Sequence, residues 1–82
     1  MINSEKLNNE LLERLHAVKR CILKTDTFNK AKSYEYLREI DSISGIAYRR
    51  YHDNDLEFYR YMVDMINSTR MLLLEKVIMN LN

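Results

Sequence analysis

Apolar residues recur along this chain with a helical period. Leu7, Leu11, Leu15, Val18 and Ile22 follow one another at steps of four, four, three and four, which places them on one helix face. The pattern predicts a first helix from about Ser4 to Lys24. Asn3 or Ser4 can cap it, and with Asn3 as the cap, Ile2 and Leu7 form a hydrophobic staple. Leu12, Ala17, Cys21 and Leu23 broaden its face. Thr25-Asp26-Thr27 interrupts the pattern, and each of these residues can cap a second helix, placed from Phe28 to about Tyr51. The second stripe is Tyr36, Ile40, Ile43, Ala47 and Tyr51. His52-Asp53-Asn54-Asp55 is the second polar break, and Asn54 with Glu57 has the spacing of a capping box. A third helix is expected from about Asp55 to Met79. Its stripe is Tyr59, Met62 or Val63, Ile66, Leu73, Val77 and Leu81, with a polar gap at Thr69 and Arg70.

Two features depart from simple amphipathicity. Gly45 falls inside the second helix, where Gly costs about 0.5–1 kcal/mol relative to Ala. Either another helix crosses closely there, or the helix kinks or breaks. The second feature is the end of the third helix. Met71, Leu72, Leu73, Leu74, Val77, Ile78, Met79 and Leu81 go most of the way around it, whereas a helix in a three-helix bundle shows the core one stripe. A second copy, another protein or an unusually wrapped core has to cover the surplus.

The chain has 82 residues, no Pro and one Gly. That length suits one domain, residues 1–82, and the scarcity of turn-forming residues argues against β architectures. The expected fold is all-α, a three-helix antiparallel bundle that self-associates. Thirteen basic and 12 acidic residues give a formal charge of +1, without the basic surplus that nucleic-acid binding usually needs. Cys21 is the single cysteine, so no internal disulfide forms, which fits a reducing cytosol. The N-terminus has no signal-peptide h-region, and no apolar run is long enough to insert into a membrane.

Catalytic and metal constellations are not legible. Glu13-Arg14-Leu15-His16 spells one E-x-x-H pair, but His52 has Arg49 three residues before it, so the second pair of a di-iron bundle is missing. Asp53 to Glu57 lacks the Gly and the later Glu of a calcium loop. Cys21, beside the apolar face, reads as a buried structural thiol. No Gly-rich loop exists to cradle a phosphate. No cofactor and no enzymatic activity are expected.

What remains is binding. Tyr48-Arg49-Arg50-Tyr51-His52 and Phe58-Tyr59-Arg60-Tyr61 interleave aromatics with arginines. The pattern suits core with solvated Arg, a protein-binding patch, or base stacking, the last opposed by Asp53, Asp55 and Glu57. The expected partner-binding surface is Met71, Leu72, Ile78 and Met79, flanked by Tyr48, Arg49, Tyr51 and Tyr59 as polar-tipped anchors. Its partner is expected to be a protein.

In its Asn-, Lys-, Ile- and Tyr-rich, proline-free style, seen in Tyr51-His52-Asp53-Asn54-Asp55-Leu56-Glu57-Phe58-Tyr59, the chain resembles small accessory proteins of T-even-type phages. In length and helical character it is similar to the lysis-inhibition accessory family, the cytoplasmic antiholins. That resemblance implies binding to the cytoplasmic part of a membrane-embedded holin in the host cytoplasm, which delays lysis. No motif aligns, so it assigns no site residue. A secretion-type chaperone or coiled-coil subunit, and a transcription or nucleic-acid modulator, are the competing functions.

Overall fold

The computed structural model describes residues 4–80. Three helices make it up: α1 (Ser4–Lys24), α2 (Lys30–Tyr51) and α3 (Leu56–Asn80). They pack as an elongated bundle of 49 × 18 × 16 Å. α2 and α3 share the most extensive interface, and α1 packs against both. Contacts far apart in sequence fix the antiparallel order. Arg14 on α1 pairs with Glu39 on α2 at 2.6 Å, and Asp41 on α2 pairs with Arg70 on α3 at 2.8 Å. The Phe28 amide donates to Asn80 Oδ1 at 3.4 Å at one end. Tyr48 and Tyr59 meet edge to face, 6.0 Å between centroids, at the other.

The core follows the apolar stripes. Leu11, Leu15, Val18 and Ile22 of α1 are buried, as are all five stripe residues of α2. In α3 the buried row is Met62, Ile66, Thr69 and Leu73, with Tyr59 and Val77 partly buried against it. The expected polar gap is therefore closed. Thr69 is 1% exposed, and its hydroxyl donates to the Met65 carbonyl at 2.8 Å. With the hydroxyl satisfied inside its own helix, the Thr methyl faces the core like an apolar residue. Ile2, Asn3 and Leu81 lie outside the described residues, and with them the expected staple.

The turns use caps other than the expected ones. Asn29, not Thr25, Asp26 or Thr27, caps α2, accepting from the Lys32 amide at 2.7 Å. Thr25 instead closes α1. Its hydroxyl donates to the Cys21 carbonyl at 2.7 Å and sits 2.6 Å from the Tyr36 hydroxyl, which is left as the donor in that pair. At the second turn Asp55 caps α3, accepting from the Phe58 amide at 3.1 Å. Asn54 donates backwards to the Arg50 carbonyl at 3.0 Å, so it finishes α2 rather than starting α3.

Gly45 is not a crossing point, and α2 runs through it unbroken. A Cβ placed there would meet only the Arg49 guanidinium Nη1, at 3.3 Å, and no atom of a neighbouring helix. At about 100° per residue, position 45 lies nearly opposite the core stripe. Cys21 is likewise exposed rather than buried. It sits about 100° from the stripe centred on Ile22, outside the arc that α2 and α3 cover.

Candidate protein-binding groove

The expected surface divides once folded. Met71, Ile78 and Met79 are 55%, 53% and 70% exposed. Leu72 is partly buried against the core. Met71, Leu74 and Ile78 stand at steps of three and four, so they form one outward stripe on α3. Met79 lies about 100° away from Ile78, on the side towards α1.

Beside this stripe runs a groove of about 490 Å³ between the start of α2 and the end of α3. Its apolar lining comes from Phe28, Tyr34 and Leu37 on one wall and from Leu73, Leu74 and Val77 on the other. Leu73 is buried, while Tyr34, Leu37 and Leu74 expose about 51%, 37% and 50% of their surface. The groove thus has a hydrophobic floor and side chains that keep apolar area in water. None of the expected α3 residues Met71, Leu72, Ile78 and Met79 lines the groove; its α3 wall is the adjacent Leu73, Leu74 and Val77, and its α2 wall was not anticipated. Tyr34 and Leu37 lie about 140° and 80° from the centre of the α2 core stripe, and the available signal was two large residues on an otherwise polar face.

The Tyr/Arg segment lies elsewhere. Because α2 and α3 are antiparallel, Tyr48 and Tyr59 meet at the turn between them. Tyr59 is separated from Met71 by about 18 Å of helix and from Met79 by about 30 Å. The expectation that Tyr48, Arg49, Tyr51 and Tyr59 flank the C-terminal surface is overturned by that geometry. Tyr51 is not a surface anchor at all. It is 6% exposed, and its ring packs edge to face on Phe58 with centroids 4.7 Å apart. Tyr48 stacks on His52 at 4.6 Å, and His52 meets Tyr59 edge-on at 5.3 Å. These rings engage one another, so their faces are already partly occupied. Arg49 is exposed on α2.

Charge is distributed unevenly along the bundle. The Arg14–Glu39 and Asp41–Arg70 pairs mark its middle. Beyond them, towards the groove, stand Lys19, Arg20, Lys24, Lys30, Lys32, Arg38 and Lys76 against Asp26, Glu35 and Glu75. Towards the Tyr48–Tyr59 end, Lys6, Arg49, Arg50 and Arg60 face Glu10, Glu13, Asp53, Asp55, Glu57 and Asp64. A formal charge of +1 therefore conceals a basic end and an acidic end. The groove's own charged lining is Lys30 and Arg70.

Among the described residues, no cluster of three or more His, Cys, Asp or Glu is arranged to hold a metal ion. No helix among them is long and apolar enough to cross a membrane. No known protein family matches the chain, and no match was found among curated proteins or solved structures.

Proposed function

We propose that this chain is a non-enzymatic protein-binding module, and that the groove between α2 and α3 receives an apolar helix from its partner. The supporting observation is the pairing of a buried floor, Leu73, with exposed walls, Tyr34, Leu37 and Leu74. The groove runs for about ten residues on each helix, or about 15 Å at 1.5 Å per residue. That accommodates about three turns of a guest helix, enough for anchors at i, i+3 or i+4, and i+7. A guest lying there would complete a four-helix arrangement and cover the surface that α1 leaves open. The outward stripe of Met71, Leu74 and Ile78 extends the contact, and methionine adapts well to a partner's shape.

The resemblance to antiholins gives the proposal a specific form. The captured helix would then belong to the cytoplasmic part of a holin, and holding it out of its own assembly would delay lysis. Length and sequence style support that form, while the groove supports helix capture in general.

A photo-cross-linking residue at position 34 tests the reading in lysate of the native host. It should capture a partner whose cross-linked peptide is a helix with an apolar stripe. Leu74→Glu, at a position half exposed, should abolish the capture and leave helicity intact. A cross-linker at position 60, on the far end, should not capture that partner. Equal capture by the Leu74→Glu protein would place the binding surface elsewhere.

A further inference from the structure

We infer that the helix received by the groove is acidic along its flanks. The inference rests on the groove reading above and adds the chemistry of the occupant. Both charged residues that line the groove, Lys30 and Arg70, are basic. Lys30 opens α2, whose first turn contains no acidic residue. A cation at a helix N-terminus is opposed by the helix dipole, so this position is electrostatically unfavourable until an anion approaches. Arg70 sits at the groove's inner end. Its Nη2 engages Asp41 at 2.8 Å, and a guanidinium carries five donors. A guest carboxylate can therefore share it without displacing Asp41.

The wider field has the same sign, because the groove end of the bundle carries a basic excess. A second copy bound groove to groove would bring two basic ends together, which like-charge repulsion disfavours. A bilayer is a poor geometric match. Leu73 forms a recessed floor that a projecting side chain can reach and a flat surface cannot. The occupant that meets both the shape and the charge is an amphipathic helix with an apolar stripe between carboxylates.

Two designed amphipathic peptides of about five helical turns provide the probe. Both carry leucines at i, i+3, i+4 and i+7, one flanked by Glu and the other by Lys. Fluorescence anisotropy against the full chain gives affinities, and methyl NMR of Leu37, Leu74 and Val77 locates the site. At about 0.05 M salt the Glu peptide should bind roughly tenfold tighter than the Lys peptide, with shifts at those methyls. At about 0.5 M salt the preference should shrink several-fold. Lys30→Glu should reduce or reverse it without lowering the melting temperature. Equal affinity of the two peptides at the groove overturns the acidic flank and leaves helix capture standing. Binding of neither peptide overturns both. Methyl shifts produced only by phosphatidylglycerol vesicles would assign the groove to a membrane surface. A sedimenting mass of two chains that Leu74→Glu returns to one would assign it to a second copy. Either result overturns the inference.

Discussion

The hydroxyl of Tyr51 is buried and has no hydrogen-bond partner among the described residues. Tyr51→Phe removes that oxygen and keeps the ring. The aromatic contact with Phe58, at 4.7 Å between centroids, is unchanged by the substitution. Burying an unpaired hydroxyl costs about 1–3 kcal/mol in protein mutational data. Tyr51 ends α2 beside the exposed turn at Asp53–Asp55, so the lower part of that range applies. Against it stands the small void left by one oxygen, worth roughly 0.3 kcal/mol at about 24 cal/mol per Å³. The expected net effect is stabilisation by about 1 kcal/mol. For a domain of this size that raises Tm by about 4–8 °C, measurable by circular dichroism and as an increased urea midpoint at constant slope. Partner capture should be unaffected, because Tyr51 lies in the core and far from the groove. A lower Tm for Tyr51→Phe would refute the reasoning, since it would mean that the hydroxyl is satisfied in the folded protein.

Four further substitutions address features that the folded structure reassigns. Gly45→Ala should stabilise α2 by about 0.5–1 kcal/mol in a thermal melt, because the new methyl meets only the far end of the long Arg49 side chain, which can yield the few tenths of an ångström that a 3.3 Å approach requires. A loss of stability would mean that Arg49 is held in place and does not yield to the methyl. Asn29→Ala and Asp55→Ala should each cost about 1 kcal/mol by removing a cap, whereas Thr27→Ala should change the urea midpoint little.

The existence, order and approximate ends of the three helices were legible in the chain itself. An apolar repeat of three and four fixes which face of a helix is buried, whatever the helix packs against. Leu11, Leu15, Val18, Ile22 and the whole α2 stripe behave in this way. The surplus of apolar residues at the end of α3 was legible for the same reason, since one face cannot bury residues that surround a helix.

Other properties depend on distances between helices, and periodicity within one helix carries no such information. Several nearby polar residues can cap a helix, and backbone geometry at each turn selected Asn29 and Asp55 over their neighbours. Whether a Gly is crowded depends on where the adjacent helix runs, and none runs near Gly45. Tyr48 and Tyr51 are similar in sequence context, but they stand about 60° apart around the helix, and that offset at the edge of the core separates a 55% exposed ring from a 6% exposed one. Antiparallel packing put the Tyr/Arg segment and the apolar end of α3 at opposite ends of the bundle. The same packing set Tyr34 and Leu37 against Leu74 and Val77, and so made a groove from two walls that are about 40 residues apart in the chain.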